Sequence, residues 1–343
     1  NMKIKVNIFF LLLPIAALLF TSCEKDNDKA IVLPPIDTTL QSMQINIGVN
    51  YDTVVFVSLT FGVVKSSAVK DYDLAFDASP ESKHIYLNTG KYMFAWRTQC
   101  TDMMNTDTTG LNWLTDSDNM LGDSTVFGSN TTSSGDVNQQ IVIIDRGKFS
   151  HIGSDRYRKI QIVSIDSNTY TIRYSKLNNS DYHEFVVTKD NAYSQVYFSF
   201  DNGGQMKNIA PPKDQWDIMF TRYIHTYWDE PLQFRYYSVN GVLSNRWNNI
   251  TCAILKKDSL PGYMSFENFN HNDISSYPFY STGNIIGFEW KYFNFNDNKY
   301  YITPDIYYIL KDKNDQYYKI KFYDFYNTTG VRGYPAFCYQ RIL

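Results

Sequence analysis

Val55-Phe56-Val57-Ser58-Leu59 recurs 141 residues later as Val196-Tyr197-Phe198-Ser199-Phe200, and Tyr72-Asp73-Leu74-Ala75-Phe76 recurs 144 residues later as Trp216-Asp217-Ile218-Met219-Phe220. Further on, Asn88-Thr89-Gly90 with Trp96 and Cys100 has a counterpart in Asn240-Gly241 with Trp247 and Cys252. Near the end of each half, Tyr157-Arg158-Lys159-Ile160-Gln161-Ile162 matches Tyr317-Tyr318-Lys319-Ile320-Lys321-Phe322 at an offset of 160. The order is kept while the offset grows, the pattern of a repeated unit whose loops differ in length.

Each match alternates with period two, as a strand with one buried face does. Val55, Val57 and Leu59 face one way, and Phe56 and Ser58 the other. Tyr318, Ile320 and Phe322 share a face opposite Lys319 and Lys321, and Ile160 and Ile162 lie opposite Lys159 and Gln161. Slipping such a strand by one residue would expose its whole apolar set, so the register is firm. Asp201-Asn202-Gly203-Gly204 and Asn327-Thr328-Thr329-Gly330 read as turns, and no long stretch has helical periodicity. The expected fold is all-β: two tandem antiparallel domains, 45–188 and 189–343, meeting near Val187 to Asp190.

Composition agrees. Of 343 residues, 43% are hydrophobic and 17% aromatic, with 28 Tyr and 23 Phe, enough to build a core and weighted towards sheet. The formal charge of -3 and the lack of a long basic block argue against nucleic-acid binding. There is no nucleophile elbow, dinucleotide turn, phosphate loop or paired-histidine zinc motif, and only five His for acid–base work. Asp116, Asp118 and Asp123 lack the glycine spacing of a calcium loop and read as a polar turn. An enzyme is not expected. Beyond Cys23, Cys100, Cys252 and Cys338 make an odd set without metal or redox spacing.

Ile8 to Phe20 is an apolar run too short to span a bilayer, with Pro14 in its middle and Lys3 and Lys5 before it. It is followed by Thr21-Ser22-Cys23, which resembles a bacterial lipobox. Residues 1–22 then form a lipoprotein signal peptide, and Cys23 is the lipidated residue. The acidic stretch Glu24 to Asp28 resembles a surface-export signal, and residues 23–44 form a linker. The resemblance implies a chain anchored by lipid in the outer membrane and exposed on the cell surface.

Trp216-Asp217-Ile218-Met219-Phe220-Thr221-Arg222-Tyr223, Ile286-Gly287-Phe288-Glu289-Trp290-Lys291-Tyr292-Phe293 and Tyr307-Tyr308-Ile309-Leu310-Lys311 resemble segments of the HmuY family. So do Tyr317 to Phe322 and Gly330-Val331-Arg332-Gly333-Tyr334-Pro335 with the residues up to Gln340. The first half looks like a diverged copy in which Tyr72 replaces Trp. The resemblance implies a hand-like all-β lipoprotein that grips haem between two axial His or Met side chains and serves a TonB-dependent receptor. By position, the haem-ligand candidates are His271 and Met264, among Tyr263, Phe266, Phe269, Tyr277, Phe279 and Tyr280. Weaker candidates are Met103, Met104 and Met120, which flank Trp113, and His225, on a strand face with Tyr223 and Tyr227. The alternative is a non-enzymatic accessory subunit of an outer-membrane transporter that binds no haem.

Overall fold

In the computed structural model, residues 37–343 are described except Phe149, 232–234 and 258–261. The signal peptide, Cys23 and the linker up to residue 36 lie outside the described residues. Residues 38–343 form one compact unit.

The first half supplies β1 (Gln41–Gln44), β2 (Thr53–Ser58), β3 (Gly62–Ala68), β4 (Leu74–Asp77), β5 (Ile85–Leu87), β6 (Phe94–Arg97), β7 (Val142–Asp145), β8 (Tyr157–Ile165) and β9 (Thr169–Ser175). Then come β10 (His183–Thr188), which ends the first half, and from the second half β11 (Gln195–Ser199), β12 (Gln205–Lys207), β13 (Ile218–Thr226), β14 (Tyr236–Ser244), β15 (Thr251–Lys256), β16 (Lys291–Asn294), β17 (Lys299–Ile302), β18 (Ile306–Lys311), β19 (Tyr317–Tyr326) and β20 (Arg332–Ile342). All named pairings are antiparallel. The all-β expectation holds.

Two five-stranded sheets, β10-β9-β8-β7-β6 and β1-β20-β19-β18-β15, repeat one order. So do two four-stranded sheets, β12-β11-β4-β5 and β3-β2-β13-β14. In the four-stranded sheets the halves exchange strands. Val55, Phe56 and Val57 of β2 pair with Phe220, Met219 and Ile218 of β13. The corresponding residues Val196, Tyr197 and Phe198 of β11 pair with Phe76, Ala75 and Leu74 of β4. The division at 188/189 therefore does not separate two bodies. Each half keeps a core against its own five-stranded sheet, but the four-stranded sheets take strands from both. Residues 41–44 were assigned to the linker and instead form β1, which covers the edge of β20 with Met43 packed on the core beneath. A bare strand edge needs such a cover.

The correspondence extends to single hydrogen bonds. Asp217 N–H donates to Val57 C=O and Asp73 N–H to Phe198 C=O, each at 2.8 Å. The two carboxylates accept from Leu59 N–H at 2.7 Å and Phe200 N–H at 2.9 Å. Trp216 meets Phe56 edge-on at 5.1 Å, and Tyr72 meets Tyr197 edge-on at 4.8 Å. These rings fill the core between the four-stranded sheets, so Tyr72 and Trp216 occupy equivalent places.

One sequence match is corrected. The partner of Asn88 is Asn245, not Asn240. Asn88 Nδ2 donates to the Val69 and Tyr72 carbonyls, and Asn245 Nδ2 to those of Lys213 and Trp216. The match to Asn240-Gly241 followed the Asn-Gly dipeptide, whereas the amide that ties off the turn before β4 or β13 defines the equivalent position. In consequence Trp96 and Trp247, and Cys100 and Cys252, are not equivalents.

A second correction concerns Lys159 and Lys319, expected on the face away from the core. Both are buried. Lys159 Nζ donates to Met103 C=O and Asn179 Oδ1, and Lys319 Nζ to the Phe266 and Phe269 carbonyls. Each amine pins a loop over the outer face of its sheet, so these sheets are covered on both sides. Cys100, Cys252 and Cys338 are free thiols.

Candidate functional site

The second-half candidates do not flank a slot. Met264 packs with Phe266, Phe269 and Tyr263 around Tyr307, whose hydroxyl donates to Met264 C=O at 2.6 Å. The aromatics expected to line a porphyrin slot are spent on the outer face of β15 and β18. His271 is exposed at the start of a 3-10 turn, His271–Ser276, with its ring edge on Tyr317. In the first half, Met103 is buried against the sheet and Met104 is exposed, with their carbonyls taken by Lys159 and Asn179. These four do not converge, because each belongs to a loop folded onto its own sheet.

Met120 and His225, the weaker candidates, do lie in one neighbourhood. The loop from Asp116 to Ser124 bridges the halves. Asp116, buried, accepts from Leu87 N–H at 2.6 Å and Val126 N–H at 2.8 Å, and burial pushes its carboxyl up to about 7. Met120, with φ at 62°, lays its sulfur against Gly283, where a Cβ would come within 2.4 Å of Sδ. A side chain there would push the Met120 thioether aside. Met120, Asp118 and Tyr223 border a cavity of about 80 Å³ between the four-stranded sheets.

His225 sits near the end of β13. Its Nδ1 lies 2.7 Å from Asp118 Oδ2, while Asp118 Oδ1 accepts from Asn284 Nδ2 at 3.0 Å. The carboxylate can only accept, so it fixes the tautomer with the proton on Nδ1 and leaves Nε2 with a lone pair. No described group bonds Nε2. Tyr227 and Phe288 meet the imidazole edge-on at 4.7 and 5.0 Å. Tyr237 is its register partner on β14, and Trp228 stands exposed beyond. The result is an oriented imidazole among exposed aromatic rings, which can ligate a metal in a flat apolar ligand. The sequence showed the Tyr-rich strand but not Asp118, read there as part of a turn. Its partner is 107 residues away, and no local pattern reports that.

Beside this site lies a cleft of about 460 Å³ between β14 and the β16–β17 hairpin, sharing Phe288 and Glu289 with a separate cavity of about 90 Å³ that His225 lines. Lys291 lies at its base, with Nζ donating to Asn240 C=O at 2.6 Å and standing 4.2 Å from the Trp290 ring. Burial pushes this amine down to about 7. Among the described residues no group of three or more His, Cys, Asp or Glu is arranged to hold a bare metal ion.

Comparison with known proteins places the second half. No curated protein matches the chain. Among solved structures, an apo HmuY analogue of Tannerella forsythia is similar at 12% identity and a TM-score of 0.32, covering 90% of this chain and 98% of that one. Apo PinO of Porphyromonas gingivitis is similar at 10% identity and a TM-score of 0.30, covering 90% and 99%. A candidate HmuY-like haem-binding protein of Bacteroides vulgatus is similar at 16% identity and a TM-score of 0.21, covering 40% and 78%. Residues 191–339 match the family model described as HmuY protein, and that segment carries His225 and both walls of the aromatic cleft.

Proposed function

We propose that the chain is a surface lipoprotein that holds haem at His225 and passes it to a TonB-dependent receptor, with Cys23 carrying the lipid anchor. The observation that carries this reading is the His225–Asp118 pair: an imidazole oriented through Nδ1, with Nε2 directed among Tyr227, Tyr237 and Phe288. Haem iron takes such a ligand, and the hydrogen-bonded carboxylate raises its basicity. The match of residues 191–339 to the HmuY family model supports the same ligand. With His271, Met264, Met103 and Met104 elsewhere and the Met120 sulfur packed against Gly283, His225 would be the residue that holds the iron.

The test is an absorbance titration with haem. A Soret band should saturate at micromolar haem in the wild type and be lost or strongly shifted in His225→Ala. His271→Ala and Met264→Ala should leave it unchanged. Absence of a band in the wild type, or an undisturbed band in His225→Ala, would overturn the assignment. The scattering of the other His and Met candidates favours one competing reading, an accessory subunit of an outer-membrane transporter without haem. Recovery of a transporter with the full chain, and no haem retained, would select it.

A further inference from the structure

The edge of β14 next to the hairpin is open over a short, bounded stretch. Val242 forms an antiparallel bridge with Gly287, and Ser244 N–H donates to Gly283 C=O, so Val242 and Ser244 turn their N–H and C=O away from β13. Gly241 leaves room for this bridge, since a Cβ there would lie 2.5 Å from Gly287 O. By alternation Asn240, Ser238 and Tyr236 present their backbone groups to the same edge. The Tyr236 carbonyl is capped by the Tyr92 hydroxyl at 3.1 Å and the Asn240 carbonyl by Lys291. Among the described residues nothing bonds the N–H of Asn240 or either backbone group of Ser238. The Asn240 side chain is buried, and its Oδ1 also lacks a partner.

The other surfaces of the cleft are aromatic and charged. Phe295, 85% exposed, and Tyr292 rise from the hairpin, with Phe293 and Tyr300 behind them and Lys256 and Glu289 at the walls. The occupant must therefore bring an apolar face together with both donors and acceptors.

We propose that this cleft binds a pyranose ring of a glycan. The C–H face of the sugar lies on Phe295 and Tyr292. Its hydroxyls donate to the Ser238 carbonyl and Glu289, and accept from the Asn240 and Ser238 N–H groups and Lys256. A porphyrin edge brings carboxylates that only accept, and so leaves the Ser238 carbonyl unpaired. An extended peptide could use the edge, but Gly287 closes it at Val242 and the Tyr92 hydroxyl at Tyr236, leaving too short a run for strand addition. The site goes beyond the haem reading and does not depend on it.

The test is capture of the full chain on a microarray of bacterial and host oligosaccharides, with saturation-transfer NMR on the oligosaccharides retained. Saturation should reach the ring C–H protons, and Phe295→Ala with Tyr292→Ala should reduce capture at least tenfold. Because Phe295 is almost fully exposed, its loss cannot be confused with unfolding. The same double variant should keep the haem titration of the wild type, which separates failure here from failure of the haem site. No oligosaccharide captured, or capture undiminished in the double variant, overturns the proposal. So does preferential capture of an extended Val/Thr hexapeptide that the double variant abolishes.

Discussion

Replacing Lys291 by Met tests whether the amine is held in a dry socket of rings. Nζ has one hydrogen-bond acceptor, the Asn240 carbonyl, and stands 4.2 Å from the Trp290 ring and 4.9 Å from that of Phe325. Burial lowers its titration from the ordinary 10.5 to about 7. Between those values the unfolded chain binds a proton that the folded chain does not, so stability rises with pH across the window. At about 1.4 kcal/mol per decade, the penalty for burying this amine is roughly 4 kcal/mol at pH 7 and nearly gone above about pH 10. Methionine has similar length and no charge, but it leaves the Asn240 carbonyl unpaired at a cost of about 1–2 kcal/mol. The variant should therefore be more stable than wild type by roughly 2–3 kcal/mol at pH 7 and less stable by about 1–2 kcal/mol near pH 10. Urea unfolding at several values between pH 7 and 10 measures both curves. If they run parallel, Lys291 titrates normally and the dry-socket argument is wrong.

Lys319→Met should free the loop around Phe266 to Phe269 at a cost of roughly 1–3 kcal/mol, seen as faster amide exchange and proteolysis in that loop. Asn88→Ala and Asn245→Ala each orphan two carbonyls and should each lower urea-unfolding stability by about 2–4 kcal/mol; a neutral result for either one would break the equivalence of the two turns. Asp116 has the opposite pH sign to Lys291. Its raised folded value means the folded chain holds a proton that the unfolded chain has lost between roughly pH 4 and 7, so its contribution falls as pH rises through that range. Melting temperatures across that range should decline less steeply in Asp116→Asn than in wild type.

The paired aspartates show how far local sequence reaches. Tyr72-Asp73 and Trp216-Asp217 read alike, and their backbone roles are alike. Their electrostatics differ. Burial alone would raise both carboxyls, but Lys91 and Arg146 hold Asp73 well below the usual range, whereas Asp217 forms no ion pair among the described residues and is raised. Arg146 is 73 residues from Asp73, beyond any motif. The Met264 and His271 region shows the converse failure. A run of aromatics near a His suggests a ligand slot, but the same rings serve equally well to cover a sheet, and here they do.

Strand alternation, the repeated order and the turn residues were set by the chain alone, because side-chain period and backbone preference act over a few residues. So was the likeness of residues 191–339 to the HmuY family, carried by short aromatic strands. Folding in three dimensions decided which strands pair, because β2 with β13 and β4 with β11 satisfy the same alternation as pairing within a half. It also brought Asp118 to His225 and left the edge of β14 open at Ser238 and Asn240. Those outcomes depend on where loops of unequal length land, and hydrogen bonding and burial choose among such arrangements only once the sheets have met.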